Sequence, residues 1–271
     1  MQLAVATHMR MSRTLFVTSW YLAALAAAAS GCGLWLPSLY PRAALAPAQR
    51  GQDLVTLLAL PVFVGAAQGA RLGSARAHAL WLGCLGYLLY TYTGAAFAYR
   101  WNVLFLVYVA LFAGCTYALV RELVELDVRS FQARLGARAP RRAVAAFLLF
   151  VAAVLVSSEL AQIAAALATG SVPELIERSD GAGNFVYVLD LGVVAPLSLL
   201  AARWLWLRRP WGDVLAGLLL VKAATMGLAL LSMTAFAALA NQPIEPGLTL
   251  AYALVAFGAA ALTARFLAHL T

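Results

Sequence analysis

The chain is poor in charged residues and contains a single lysine. Only 11% of its 271 residues are Asp, Glu, Lys or Arg, whereas 64% are hydrophobic and the mean hydropathy is +0.86. A soluble domain of this length needs more polar surface than this composition supplies. The scarcity of charge therefore excludes a soluble protein and predicts an all-α, polytopic transmembrane helical bundle.

Cysteine and histidine are also scarce. The cysteines have no CxxC spacing, which argues against a disulfide framework or an iron–sulfur site. The histidines lie near or beyond predicted helix ends, so we expect no haem ligation and no His-based metal site. Nucleotide-binding and hydrolase motifs are missing, and no cofactor is predicted. These residues are Cys32, Cys84, Cys115, His8, His78 and His269.

Eight apolar runs are long enough to cross a membrane as helices, for which about 20 residues suffice. Short polar segments separate them, and no internal repeat or second domain is indicated, so residues 1–271 are expected to form one integral membrane domain. The predicted spans are residues 14–40, 52–71, 78–99, 101–123, 143–168, 184–207, 211–240 and 248–270.

Arginine is concentrated in alternate connections between these spans. By the positive-inside rule both termini then face the cytoplasm. The net charge of +8 follows from this distribution, which indicates contact with membrane lipids and gives no reason to expect nucleic-acid binding. Because the composition is rich in Ala, Leu and Arg, we expect the cytoplasmic (inner) membrane of a bacterium.

The longest arginine-rich connection covers residues 121–142 and alternates acids and arginines around apolar residues. This pattern predicts a basic interfacial helix whose arginines meet anionic lipid. We expect a solvated connector rather than a docking site for a regulatory partner.

The first span has an alternative interpretation. Two arginines, an apolar stretch and small residues before Cys32 imitate a bacterial lipoprotein signal that would be cleaved at that cysteine. Apolar sequence continues beyond Cys32, so we expect a true span.

Lys222, the only lysine, lies near the middle of the seventh predicted span. Ionisable residues at this depth are costly and are by default functional candidates. Counting about 1.5 Å of helix rise per residue places Glu159 and Asp190 in the centre-to-outer half as well, on two other helices. We therefore predict that Lys222 pairs with Asp190 or Glu159 and that they line a polar cavity open to the outside.

Each of these three residues has polar neighbours on its own helical face, three or four residues away. The third span adds hydroxyl groups in its outer half, while Gln52 and Asp53 are expected to cap the outer start of the second span. The predicted binding residues for a small molecule or ion are Lys222, Asp190, Glu159, Gln162, Tyr187, Thr225 and Tyr90.

Small residues in the third and seventh spans, among them Gly83 and Gly227, are expected to allow close helix packing. Gly192 and Pro196 are expected to loosen the sixth helix just beyond Asp190.

Several functions fit this pattern. The first is a small-solute transporter or an ion- or proton-coupled permease, in which two carboxyl groups facing one lysine bind a proton or cation. The second is an intramembrane enzyme acting on a lipid-linked or apolar substrate, although an enzyme is the less expected class. A structural ion pair that fixes helix register is a further interpretation.

A sensory receptor with a Schiff-base chromophore on Lys222 is the remaining alternative. A lone lysine in a seventh helix is shared with rhodopsins. The rest of the rhodopsin pattern is missing, because Leu218 stands where microbial rhodopsins carry an aspartate and an eighth span is present.

Overall fold

The computed structural model describes residues 10–36, 39–40, 45–179 and 183–271. These residues form eight long helices and two short ones, and no strand within the described ranges. In chain order the helices are α1 (Arg13–Trp35), α2 (Ala46–Arg71), α3 (Ala75–Ala98), α4 (Phe105–Glu125), α5 (Val128–Arg134), α6 (Arg141–Thr169), α7 (Glu174–Arg178), α8 (Asn184–Trp206), α9 (Pro210–Leu239) and α10 (Pro246–Ala268).

The all-α polytopic bundle predicted from the sequence is confirmed. Seven of the long helices are apolar enough to cross a membrane by length and composition. The remaining one, α3, carries tyrosine and threonine residues that lower its hydropathy, and much of it is buried inside the bundle. A helix shielded by protein tolerates such polar groups because they do not meet lipid.

Two helix boundaries differ from the prediction by five residues or more. Helix α1 ends at Trp35, whereas the sequence predicted residue 40. Helix α2 begins at Ala46, with a proline in its first turn, whereas the sequence predicted a start at residue 52. Proline fits the first turn because its missing N–H would have no partner there. Gln52 and Asp53 therefore lie inside α2 and do not cap it, and their side chains are available to the interior.

Helix α9 is the centre of the bundle. On one side it packs against α2 and α3, which continue into a group with α1 and α4. On the other side it packs against α8 and α10, and α6 covers α8. Residues from α6, α8, α9 and α3 are thereby brought to one region at mid-length of α9.

Glycines allow the close approach of other helices to α9, as the small-residue pattern predicted for Gly83 and Gly227. A Cβ at Gly83 of α3 would meet Val221 Cγ1 at 2.6 Å. A Cβ at Gly227 would meet the Cα of Ala256 in α10 at 2.7 Å. At Gly51 of α2, which the sequence did not single out, it would meet the carbonyl oxygen of Ser232 at 2.5 Å.

Gly51→Ala is expected to lower the free energy of unfolding by about 1–3 kcal/mol, because the added methyl group meets backbone that cannot yield cheaply. Gly65→Ala on the same helix is the matched control, since nothing lies within 4 Å of its Cβ. Alanine there gains helix propensity of up to about 1 kcal/mol. Thermal unfolding in detergent, followed by tryptophan fluorescence, measures both variants. Equal midpoints for the two variants would contradict the close packing at Gly51.

The arginine-rich connections gather at one end of the bundle. The Met11 amide donates to Ala70 O at 3.2 Å, and Arg134 Nη1 donates to Gly73 O at 2.8 Å. Arg76 donates to Leu270 O near the last residue. The first described residues, near Met11, and the C-terminal residues therefore lie together at the arginine-rich end.

The connector at residues 121–142 contains a helix, α5, that docks onto this end of the bundle. Phe131 is fully buried, and the side chain of Asp127 caps the helix by accepting from the amides of Arg129 and Ser130, each at 3.1 Å. Gly136 N donates to His269 O at 2.9 Å. The connector is therefore packed against the helix ends and holds the C-terminal segment.

Candidate functional site

Lys222 is buried about 18 Å along α9 from Pro210, at about 1.5 Å of rise per residue. Its Nζ lies over the ring of Tyr90 on α3, 4.1 Å from the ring centroid. A desolvated ammonium over an aromatic face gains about 2 kcal/mol from the ring quadrupole. Tyr90 is thus the direct partner of the lysine.

Tyr90 is held in place by α8. Its ring makes an edge contact with Phe185, with the centroids 6.1 Å apart. Phe185 itself lies on Gly94, where a Cβ would come within 2.5 Å of the phenylalanine Cζ. A glycine at this point therefore lets α8 approach α3 and fixes the tyrosine beneath the ammonium.

Asp190 is buried on α8 at the start of a π turn, residues Asp190–Val194. The amide of Ala195 donates to Asp190 O, five residues back, and Pro196 follows in the next α-helical turn. Single π turns inside α-helices are frequent at functional sites. The π turn lies where Gly192 and Pro196 were expected to loosen the helix.

The Asp190 carboxyl interacts with each of the other polar groups of this site. It lies close enough to Lys222, Tyr90 and Glu159 to interact electrostatically with all three. Glu159 is buried on α6, and its Oε2 has no hydrogen-bond partner within the described part of the chain. The predicted convergence of Lys222, Asp190 and Glu159 from three helices is what the structure shows.

The predicted pairing of Lys222 takes a different form from a contact ion pair. No carboxylate oxygen in the described residues lies within 4.0 Å of Lys222 Nζ. The ring of Tyr90 is in contact with the ammonium, and Asp190 acts on it as the nearby negative charge. Lys222 therefore lies near the Asp190 carboxylate but does not form a contact ion pair with it.

Two other predicted residues join α6 and α8 beside the carboxyl groups. The Tyr187 hydroxyl donates to Gln162 Oε1 at 3.0 Å, and Gln162 Nε2 donates to the carbonyl of Ser158 at 3.2 Å. This bridge fixes α6 against α8 one turn from Glu159 and Asp190. Thr225 instead donates to Val221 O of its own helix at 2.9 Å, so its hydroxyl bonds to backbone rather than to the cluster.

The hydroxyl groups of α3 face two directions. Tyr90 contacts Lys222, Tyr87, Thr91 and Tyr92 bond to α1 and α2, and Thr93 donates to Leu89 O of its own helix at 2.7 Å. The Tyr87 hydroxyl lies 2.8 Å from Thr56 Oγ1, and that of Tyr92 lies 3.2 Å from Ser30 Oγ. The sequence grouped all of these hydroxyl groups by depth, but depth does not reveal the direction in which a side chain points.

A small polar cavity of about 20 Å³, room for little more than one water molecule, lies among α1–α4. It is lined by Asp53 and by tyrosines, on the side of α3 away from Lys222. The sequence placed the cavity around Lys222 and assigned Asp53 to helix capping, so this cavity was not predicted.

Two buried polar contacts near the arginine-rich end were also missed. His78 Nε2 lies 2.7 Å from Glu122 Oε1, and both side chains are buried. Asp213 accepts from Arg141 at 2.8 and 3.1 Å and from Gln132 at 3.0 Å. Both contacts join the ends of different helices and have no role in the Lys222 cluster.

Within the described ranges no group of three or more His, Cys, Asp or Glu side chains is arranged to hold a metal ion. The cluster instead offers two carboxyl groups, one ammonium and one phenol. No family model, curated protein or solved structure matches the chain, so its function has to be argued from this geometry.

Proposed function

We propose that the chain is a proton- or cation-coupled permease for a small solute, with Lys222, Asp190, Glu159 and Tyr90 as its coupling site. The observation that carries the proposal is the meeting of two buried carboxyl groups from α6 and α8 next to the only lysine on α9. Buried ionisable residues inside a membrane bundle commonly mark ion and proton pathways. We propose the bacterial cytoplasmic membrane, with the arginine-rich end inside.

The charge balance of the cluster explains how it would couple. Two neighbouring carboxyl groups in a buried site favour a state in which one of them carries a proton, because two like charges repel each other there. With that proton the cluster holds one negative and one positive charge and is neutral. Loss of the proton leaves a net negative charge, which a cation or a positively charged solute would neutralise.

The arrangement around Lys222 supports exchange rather than a fixed pair. The ammonium lies over the Tyr90 ring, and no carboxylate oxygen of the described residues is within 4.0 Å of it, so it is not held in a contact ion pair. Lysine, unlike arginine, can also give up its proton in an apolar site. The π turn beginning at Asp190 adds a point at which α8 can rearrange.

The proposal is tested by reconstituting the full chain in liposomes loaded with a pH-sensitive dye. Proton movement is followed when a panel of amino acids, sugars and amines is added outside. We expect Glu159→Gln and Asp190→Asn to reduce the initial rate at least about tenfold, because each removes one site for the shared proton. Thr234→Val is the control, since that hydroxyl bonds only to Leu230 O of its own helix, at 2.9 Å. Wild-type rates in both carboxyl variants would contradict the proposal.

A second function is favoured by one observation. Ser157, Ser158 and Gln162 are exposed on the flank of α6 that adjoins Glu159, so a polar strip there faces the surroundings of the bundle. A lipid-linked substrate could reach Glu159 from the membrane along this strip, with the carboxyl as general acid or base. Lipid turnover by the purified chain that stops in Glu159→Gln, together with an absence of solute flux, would favour this intramembrane enzyme.

A further inference from the structure

The small cavity among α1–α4 is lined mainly by residues that carry side-chain oxygen atoms. Of the ten described residues that line it, only Ala29 and Ala95 have no such oxygen, and none has a positively charged side chain. The other eight contribute one carboxyl group, two amides and five hydroxyl groups. A volume of about 20 Å³ holds one particle of about the size of a water molecule. The cavity therefore has the size for a single water molecule or a single small ion.

Asp53 of α2 supplies the carboxyl group of this lining. Its Oδ2 accepts from the Tyr40 hydroxyl, and a Cβ at Gly33 would collide with both of these oxygens, so α1 closes tightly over the carboxyl. Among the described residues no Arg, Lys or His nitrogen lies within 4.0 Å of it. Carboxylates that are withdrawn from water are paired with a cation or coordinate a metal ion. A cation in the adjacent cavity would balance the charge of Asp53.

The hydrogen bonds of the lining leave oxygen lone pairs for such a cation. The Tyr40 hydroxyl donates to Asp53, and the Tyr99 hydroxyl donates to Gln49 Oε1 at 2.7 Å. A hydroxyl group that has donated its hydrogen keeps lone pairs on its oxygen. Gln52 Nε2 donates to Thr91 Oγ1 at 3.1 Å, which leaves the amide oxygen of Gln52 to coordinate. Carboxylate, amide and hydroxyl oxygens are the ligands that hard metal ions prefer.

The charge of the lining selects a monovalent ion. Asp53 is the only acidic residue among the described residues that line the cavity, so one positive charge makes the occupied site neutral. A divalent ion would leave an excess positive charge inside an apolar bundle, which is costly.

The cavity lies at the end of the bundle opposite the arginine-rich end. Tyr40 follows the end of α1, Tyr99 follows the end of α3, and Gln49 is in the first turn of α2. An ion can therefore reach the cavity from this end without passing Lys222.

We infer that this cavity is a binding site for a single Na⁺ ion, coordinated by the Asp53 carboxylate, the amide oxygen of Gln52 and the hydroxyl oxygens of Tyr40 and Tyr99. Na⁺ is smaller than a water molecule, so a cavity of about 20 Å³ admits it when these oxygens replace its hydration shell. The inference does not depend on the permease, because it concerns an ion on the side of α3 away from Lys222.

Thermal unfolding and equilibrium dialysis of the full chain in detergent test the site with NaCl as the probe. N-methyl-D-glucamine chloride at the same concentration is the control, because this organic cation is too large for the cavity. We expect NaCl to raise the unfolding midpoint by about 3 °C or more, since an ion that binds only the folded chain stabilises it. Dialysis against radioactive sodium should show saturable binding of about one ion per chain. Equal midpoints in the two salts, or no saturable binding, would overturn the inference.

Variants locate the ion. Asp53→Asn removes the only charged ligand and is expected to weaken sodium binding at least about tenfold. Gln52→Met keeps a side chain of similar length without the amide oxygen and is expected to weaken binding at least about threefold. Asp190→Asn, in the Lys222 cluster, is expected to bind sodium like the wild type.

Two results would refute this assignment. The first is wild-type sodium affinity in folded Asp53→Asn, or in Gln52→Met if Asp53→Asn does not fold. The second is loss of sodium binding in Asp190→Asn while Asp53→Asn retains it, which would place the ion in the Lys222 cluster.

Discussion

Replacement of Lys222 by methionine is expected to abolish coupled flux in proteoliposomes. Methionine has a similar length and no charge, so the side chain still fills the space over the Tyr90 ring, while Asp190 loses the ammonium that interacts with it. We expect the initial rate to fall at least about a hundredfold, because buried carboxyl groups without the neighbouring ammonium hold their protons more tightly and release them less readily. Initial rates of proton movement with the best solute of the panel measure this effect.

The Lys222→Arg variant tests whether the positive charge at this position is sufficient or whether the side chain must also release a proton. Arginine keeps the positive charge and cannot release a proton in a protein. If the lysine takes part in coupling, the Arg variant folds like the wild type and is as inactive as Lys222→Met. A wild-type rate for the Met variant would remove Lys222 from the mechanism, and an active Arg variant would reduce its role to that of a fixed charge. Thr234→Val again serves as the control on the same helix.

The second large effect is expected at Asp213, at the arginine-rich end of the bundle. This carboxyl is fully buried and binds Arg141 through two hydrogen bonds of 2.8 and 3.1 Å, while Gln132 donates a third of 3.0 Å. Asp213→Ala leaves a largely buried guanidinium and an amide without their acceptor. We expect the free energy of unfolding to fall by about 3–5 kcal/mol.

A double-mutant cycle shows whether the loss of stability comes from the interaction between Asp213 and Arg141. Arg141→Ala alone should destabilise the chain, and the double variant should be less destabilised than the sum of the two single changes. Chemical unfolding in detergent, with helicity as the signal, provides the values. Strict additivity would mean that Asp213 stabilises the fold by some means other than Arg141.

The positions of the helices could be predicted from the sequence because each apolar run has to span the same thickness of membrane. The helix that deviates most is α2, where a proline at its first turn moves the start to Ala46. Polar residues between residues 46 and 53 hid this extra length, because hydropathy alone assigns them to a loop.

The cluster around Lys222 was found by depth along each helix, a coordinate that the sequence does contain. Depth does not give rotation about the helix axis or the order of helices around the bundle. Tyr90 and Tyr92 lie two residues apart on α3, yet one contacts Lys222 and the other bonds to Ser30 of α1. The tyrosine-lined cavity escaped prediction for the same reason, since its residues come from four segments whose neighbourhood the sequence does not reveal.

The π turn in α8 divides this helix into two segments, and it rotates the side chains of one segment about the helix axis relative to those of the other. An α-helix advances by about 100° per residue, and a π turn accommodates one residue more than a regular turn. The orientation of Asp190 is therefore not tied to that of Ser198, Ala201 and Leu205, which pack in the core further along α8. Removal of a single residue between 191 and 194 would restore an unbroken α-helix and leave the packing beyond it intact. It would also turn Asp190 away from Glu159 by about a quarter of a revolution. The extra residue therefore sets the direction in which the carboxyl group points.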